Sequence, residues 1–248
     1  MTAPLVTVAV PSYNQGRYLD QALASILEQG VPVEVFVLDG GSSDESPDVI
    51  GRWAPRLAGW RSHADDGQAA AINEGVAAGS APYVAWLNSD DIYLPGGLAA
   101  LCAALDANPA AAMAYGRAWH VDALGRKRGP VWVRPFSERW LANACFICQP
   151  ATLIRRSAWQ AVGGVDAALA MAMDYDLWWR LYRQFGPPPM VDRYVAANRE
   201  HADTKTGTRR RDHYAEAIAV VRKHYGRVPF KWWLAQPYAV WYRGWRGR

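Results

Sequence analysis

The feature that most constrains this chain is the rhythm of residues 5–87. Leu5–Val10 and Val33–Leu38 are apolar, β-branched runs that read as buried strands; Tyr83–Leu87 is a third and Gly59–Ser62 a short fourth. Between them, Tyr18–Gln29 sets Leu19, Ala22, Leu23 and Ile26 at helical spacing. Ser46–Trp53 carries Pro47 in its first turn, and Gln68–Ala78 is rich in alanine. Strand, helix, strand, helix in this rhythm means parallel strands joined by crossover helices. Sheets of this kind bind ligands at the carboxyl ends of their strands. The segments at those ends are 11-PSYNQGRY-18, 39-DGGSSDES-46, 63-HADDGQ-68 and 88-NSDD-91. Strand packing requires no Asp, Asn or Gly there. A crevice lined with acceptors and free backbone amides suits a ligand bearing phosphates and a cation.

Two cofactor classes are disfavoured. The three spaced glycines of a dinucleotide fold do not follow the first strand, and no Gly-Lys-Ser/Thr loop holds a triphosphate. The 248 residues, 51% apolar and 20% charged, suit one large domain or two closely packed halves. Met1–Pro4 has no basic leader, and no run of eighteen apolar residues occurs, so a cytoplasmic protein is expected. Cys102, Cys145 and Cys148 are few and odd in number, which fits a reducing compartment. Cys145 and Cys148 have redox or zinc spacing, but without a second pair or a nearby His they read as small buried hydrophobes. The net charge of +4 is a property of residues 228–248, which hold Lys231, Arg243, Arg246 and Arg248 and no acid. Trp232, Trp233, Trp241 and Trp245 share that stretch. Tryptophan among cations suits the headgroup level of an anionic membrane; the alternative is a tail folded back with its indoles buried. No nucleic-acid motif accompanies it, so nucleic acid is not an expected partner.

The second half is less regular. Pro95–Asn108 reads as a helix, and Met113–Asp122 and Pro130–Arg134 as strands joined through a turn at Gly125-Arg126. Gln149–Arg155 reads as a strand followed by Arg156–Val162. The stretch 163–186 contains a helix opening on Asp174 and Asp176. Met190–Ala196 is a strand, Arg199–Thr206 a polar loop, and Arg209–His224 a basic amphipathic helix. Two acidic pairs stand out. Asp90 and Asp91 sit at the mouth of a buried strand, where adjacent anions are costly. They either cap the helix starting near Pro95 or hold a divalent cation. Asp174 and Asp176 gain from the helix dipole, so capping is an alternative there too.

The segments 8-VAVPSYNQGRYL-19, 37-VLDGGSSDES-46, 65-DDGQAAAIN-73, 86-WLNSDD-91, 149-QPATLIRRS-157 and 173-MDYDLWWRL-181 together resemble the family 2 glycosyltransferases of the GT-A fold. The resemblance covers residues 5–206. It implies an α/β fold: a Rossmann-like, mostly parallel sheet flanked by helices, a smaller mixed acceptor-side region and a helical C-terminal tail. It divides the chain into a catalytic domain, 1–206, with a nucleotide-sugar half (1–94) and an acceptor half (95–206), and a tail, 207–248. It implies inverting, metal-dependent transfer of one sugar from a nucleotide-diphospho-sugar to a hydroxyl of a saccharide or lipid-linked saccharide, as in cell-surface polysaccharide or glycolipid assembly. The family's processive Gln-x-x-Arg-Trp signature is absent after 173–181. A peripheral site on the inner face of the cell membrane, reached through 229–248, follows from the tail and this resemblance.

The resemblance also assigns roles. Asn88-Ser89-Asp90-Asp91 stands at the family's DxD-type station, with Asn88 in place of its first Asp; that departure leaves Asp90 as the first candidate for direct ligand of Mg²⁺ or Mn²⁺ and Asp91 as the other. Asp39 is similar to the base-recognising Asp, and Pro11, Ser12 and Tyr13 form the adjoining wall. Asp66 matches a further nucleotide-contacting Asp, beside Gly67, whose lack of a side chain allows close approach. Asp174, preceded by Met173 rather than Glu, corresponds to the general base, with Asp176 supporting the helix start or acceptor pocket. His201 resembles a late His that reaches metal or diphosphate. Arg199 and Lys205 are candidates for a phosphate-pairing lid, and Arg155 and Arg156 for acceptor or phosphate contacts or a solvated pair. Asp44 reads as a helix cap. The rival readings are a nucleotidyltransferase, which needs a more basic first loop, and a non-catalytic binding module, which need not keep Asp90, Asp91 and Asp174.

Overall fold

The computed structural model describes residues 3–236. The elements follow in order: β1 (Val6–Ser12), α1 (Gly16–Leu27), β2 (Val33–Asp39), α2 (Ser46–Trp53), β3 (Gly59–Ser62), α3 (Gln68–Ala78) and β4 (Tyr83–Trp86). Then come β5 (Ile92–Tyr93), α4 (Gly97–Asp106), β6 (Met113–Val121), β7 (Lys127–Pro130), α5 (Glu138–Asn143), β8 (Thr152–Arg155) and α6 (Arg156–Val162). The last are α7 (Met173–Phe185), β9 (Met190–Arg199), α8 (Lys205–Thr208), α9 (Arg210–Tyr225) and α10 (Phe230–Gln236).

The strands form one sheet in the order β3-β2-β1-β4-β8-β6-β9-β5, with β7 beside β6. The expected parallel arrangement holds for β3-β2-β1-β4. Beyond β4 the sheet is mixed: β8 runs antiparallel to both β4 and β6, while β6 and β9 are parallel. Strands from both sides of residue 94 therefore share one sheet. Every residue of β1 is buried, as expected for a central strand covered on both faces. Its alternate side chains enter different cores. Val6, Val8 and Val10 pack with Leu19, Leu23 and Ile50 from α1 and α2, and with Leu98 and Leu101 from α4. Ala9 joins Leu38, Ile72 from α3, and Trp178 and Trp179 from α7 on the other face.

Some local expectations change. The strand placed at Pro130–Arg134 lies instead at Lys127–Pro130. A tight turn, in which Gly125 N–H donates to the Asp122 carbonyl, sets Lys127 opposite Val121. Pro150 turns Gln149–Ala151 into a single 3₁₀ turn, so β8 begins only at Thr152. The two-residue β5 and the short α5 were not anticipated. Among the described residues no helix is long and apolar enough to cross a membrane.

Candidate active site

The parallel register lines up Ser12, Asp39 and Ser62 as neighbours at the carboxyl ends of β1, β2 and β3. Asp39 is fully buried. Its Oδ1 accepts from Ser42 Oγ at 2.5 Å; its Oδ2 accepts from Ser42 N–H at 2.9 Å and Ser62 Oγ at 2.6 Å. Pro11 and Ser12 are buried beside it, and Ser12 Oγ has no partner among the described residues. Tyr13 is 63% exposed and stands against Gly40, leaving an open aromatic face at the crevice. The first two loops are stitched together: Asn14 N–H donates to Ser42 Oγ at 2.7 Å, and Ser43 N–H to Asn14 Oδ1 at 2.9 Å. Asn14 adopts φ 51°, a left-handed conformation that Asn tolerates. Asp44 does cap: its carboxylate accepts from Gly16 N–H at 2.9 Å and Ser46 N–H at 3.0 Å, joining the starts of α1 and α2.

The third loop separates two adjacent acids. The Asp65 carboxylate is held by Arg61 at 2.9 Å, accepts from Gly67 N–H at 2.9 Å, and lies beside Gly40. Asp66, the residue singled out from the sequence, follows it, and both residues are exposed. Asp65 is thus a crevice residue that sequence reasoning missed. Its signals were an Arg four residues earlier and a Gly two residues later, the spacing of an Asx turn.

The fourth loop splits Asp90 from Asp91. Asp90 Oδ2 lies 3.0 Å from His201 Nε2; the carboxylate side chain keeps 18% exposure and the imidazole 2%. The His201 ring packs on Tyr18, with centroids 4.8 Å apart. Asp91 turns inward: Oδ1 accepts from Arg199 N–H at 2.9 Å and Asn198 Nδ2 at 3.2 Å, and Oδ2 from Asn88 Nδ2 at 3.2 Å. Burial, and then the charge of Asp90, push the Asp91 carboxyl well above the usual carboxylate range. Asn88 links the edge loops. Its Oδ1 accepts from Gln68 Nε2 at 2.8 Å, and Gln68 Oε1 accepts from Lys205 Nζ at 3.1 Å.

Arg199 does not form the lid expected of it. It is buried, and its guanidinium donates to the Asp90 carbonyl at 2.7 Å, the Asp122 and Ala123 carbonyls at 3.2 Å each, and Gln21 Oε1 at 2.6 Å. Those bonds occupy the fork that a phosphate would need. Arg155 and Arg156 are likewise structural. Arg155 donates to the Ala111 and Leu105 carbonyls, and Arg156 to the Ala81 and Val76 carbonyls.

A cation at this edge fits part of the expected ligand set. Among the described residues no group of three or more His, Cys, Asp or Glu side chains is gathered as a metal cage. Asp90 and His201 face each other and supply a hard oxygen and an imidazole nitrogen, donors suited to Mn²⁺ or Mg²⁺ when phosphate oxygens and water complete the shell. Asp91 meets backbone and amide donors instead.

Asp174 begins α7, and its Oδ1 accepts from Tyr175 N–H at 2.7 Å. Burial raises its pKa, and the Tyr175 N–H, followed by nearby His213, partly offsets that rise. It lines a cavity of about 290 Å³ whose other walls include Tyr175, His213, Tyr214, Lys231 and Trp232. Asp176 is a brace for the helix bundle. It is fully buried, and its carboxylate meets Arg180 Nε at 2.6 Å, His224 Nε2 at 2.7 Å and Lys223 Nζ at 3.0 Å, which ties α7 to α9. The three cysteines are free thiols. Cys102 is buried, but the pair expected as small buried hydrophobes is not: Cys145 is exposed on the segment after α5 and Cys148 is half-buried.

A parallel sheet with polar, Gly- and Asp-bearing loops on its carboxyl edge, continued by mixed strands and flanked by helices, is the fold of GT-A-type glycosyltransferases. TarS from S. aureus in complex with UDP-GlcNAc superposes with a TM-score of 0.73 at 16% identity, over 90% of this chain and 67% of that one. The mannosyltransferase PcManGT from Pyrobaculum calidifontis, in complex with GDP-Man and Mn²⁺, superposes with a TM-score of 0.65 at 19% identity, over 100% of this chain and 74% of that one. The family model "Glycosyl transferase family 2" matches residues 7–163, and the chain belongs to that family. A PGL/p-HBAD biosynthesis glycosyltransferase of Mycobacterium bovis is 28% identical over 79% of this chain and 75% of its own length. Chondroitin synthase of Escherichia coli is 24% identical over 94% of this chain, which spans 34% of that protein.

Proposed function

We propose that the chain transfers one sugar from a nucleotide-diphospho-sugar to a hydroxyl of a saccharide or lipid-linked saccharide, with inversion, using Mg²⁺ or Mn²⁺ held by Asp90 and His201. The observation that carries this reading is the 3.0 Å contact between Asp90 Oδ2 and His201 Nε2 at the carboxyl edge of the sheet. When bound, the cation offsets the charge that grows on the departing diphosphate. Asp91 positions this pair by gripping the end of β9 through Arg199 N–H. Asp39 exchanges a serine partner for an N–H of the base, Tyr13 and Pro11 wall that base, and Asp65 with Asp66 borders the ribose side. Gly67, at φ 101°, lets the backbone approach without a side chain in the way. Asn88 orients Gln68 and, through it, the Lys205 ammonium toward the phosphates.

Asp174 takes the proton of the attacking hydroxyl. The acceptor oxygen bonds to the anomeric carbon, the bond from that carbon to the diphosphate oxygen breaks, and the proton stays on the Asp174 carboxylate. A base raised by burial holds that proton better than an exposed aspartate would. One displacement with one base gives inversion. The nucleotide-sugars in TarS and PcManGT support the donor class, and the Mn²⁺ in PcManGT supports the metal. A role in cell-surface polysaccharide or glycolipid assembly, at the inner face of the membrane, fits the basic tryptophan-rich stretch 229–248.

Thermal shift with UDP, GDP, dTDP and CMP, with and without Mn²⁺, tests this reading. One nucleoside diphosphate should stabilise the protein only with metal, and Asp90→Ala should abolish that response. Stabilisation by none of them, or stabilisation indifferent to metal and to Asp90, would sink it.

A further inference from the structure

Five large apolar side chains left in water lie on α5, on α10 and on the segment before α5, while Tyr13, Trp60, Leu124 and Phe185 are exposed elsewhere in the chain. Trp132 and Trp140 are 50% and 38% exposed, and their rings meet edge to face at 5.9 Å. Two cations lie over them: the Arg134 guanidinium is 4.1 Å from the Trp140 ring centre, and Lys231 Nζ is 5.8 Å from that of Trp132 and 5.9 Å from that of Trp140. Lys231 belongs to α10, which is moored to α5 by Trp232 Nε1 donating to the Ala142 carbonyl at 2.8 Å. With Trp232 buried, the opposite stripe of α10 points outward. Phe230, Trp233 and Leu234, at i, i+3 and i+4, are 71%, 44% and 67% exposed. Helical spacing places apolar residues at these positions to face a partner. In water each keeps apolar area unburied, an unfavourable state that contact with an apolar partner relieves.

The charge around this stripe names the partner. Arg134 and Lys231 lie over the neighbouring indoles, and Arg139 is exposed on α5. The acid on α5, Glu138, is already paired with Arg183 at 2.8 Å. From residue 228 onward the sequence adds Arg243, Arg246 and Arg248 and no Asp or Glu. Indole rings with cations above an outward apolar stripe fit the headgroup layer of an anionic bilayer, where rings sit at the acyl boundary and cations meet lipid phosphates.

We infer that the α5–α10 side, with Trp132, Trp140 and the Phe230/Trp233/Leu234 stripe, docks on an anionic membrane surface. This deepens the transferase reading and rests on it for its purpose. Lys231 belongs both to this surface and to the cavity wall that includes Asp174, so an acceptor anchored in the bilayer reaches the base without leaving the lipid surface.

The test is co-sedimentation of the full chain with vesicles of phosphatidylcholine alone, and of phosphatidylcholine with phosphatidylglycerol. The unsubstituted protein should bind only the anionic vesicles and be released by salt. Phe230→Ser/Trp233→Ser/Leu234→Ser and, separately, Trp132→Ala/Trp140→Ala should each weaken that binding about tenfold or more. Both variants should keep the metal-dependent thermal shift with the nucleoside diphosphate that stabilises the parent. Absence of binding to anionic vesicles, or equal binding by the variants, overturns the inference. So does a dimer in solution that dissociates when the stripe is substituted, because the face would then belong to a second copy. A failed nucleotide shift in the parent overturns the transferase reading instead, whatever the vesicles do.

Discussion

His201 Nε2 stands 3.0 Å from Asp90 Oδ2 although 111 residues separate them in the chain. The imidazole is delivered by the loop after β9, and the carboxylate by the loop after β4. Replacing His201 with Ala leaves Asp90 in place but removes one of the two donors proposed for the cation. Calorimetric titration of the preferred nucleoside diphosphate at fixed Mn²⁺ should show affinity reduced on the order of tenfold or more, with the metal-free affinity unchanged. An unaltered metal dependence would remove His201 from the ligand set.

Asp174→Asn keeps the size of the side chain and removes the proposed base. The turnover number should fall by about 10²–10⁴-fold, with nucleotide affinity retained. The pH profile carries the sign. Asp174 must be ionised to act and its pKa is raised by burial, so kcat/KM should decline with acidification at a pH above the 3.8 of an ordinary aspartate. An acid limb at or below that value would argue for a different base.

Asp176 makes a stability prediction independent of function. His224, Arg180 and Lys223 hold its carboxyl below the usual range despite burial. A depressed folded pKa means the stabilisation is present above the unfolded value and is lost as pH falls through the folded one. Asp176→Asn leaves Arg180 and His224 without their anion and should cost about 3–5 kcal/mol in urea unfolding at neutral pH. Lys223 is half-exposed and contributes little of that. At acid pH the gap between variant and parent should narrow.

Gly16 tests the seam between the first two loops. A Cβ there would lie 2.6 Å from Ser46 N, a backbone atom that cannot swing aside. Gly16→Ala should destabilise the fold by about 1–3 kcal/mol and weaken nucleotide affinity as well, because the Asp44 bonds to both helix starts are stretched. Loss of stability with unchanged affinity would separate this seam from the nucleotide site.

The buried alternation in the first half made α2, β3 and α3 legible to the residue, since continuous apolar strands and Pro- or Gly-punctuated helices leave few other solutions. The mixed half was less so. β5 is two residues long and exists because Ile92 meets Ala197 on β9, a pairing without local signal. The family pattern puts Asp90 ahead of Asp91 as a ligand, but nothing local foretells that the arrival of Arg199 N–H makes Asp91 a buried acceptor. Arg199 itself reads as a loop cation; nothing local announces that four carbonyl-type oxygens wait for it. His201, in contrast, is singled out by the family resemblance and meets Asp90 in the structure.

The sheet order has a consequence for biosynthesis. β8, which enters between β4 and β6, and β9, which brings His201, are translated long after Asp90. A nascent chain that has emerged only through residue 94 holds Asp39, Asp65 and Asp90 beside an unpaired β4 edge, with neither Arg199 nor His201 to meet the acids. The donor crevice is therefore a late product of folding, and ribosome-bound chains halted before residue 199 should fail to retain nucleotide while those extended past 225 retain it.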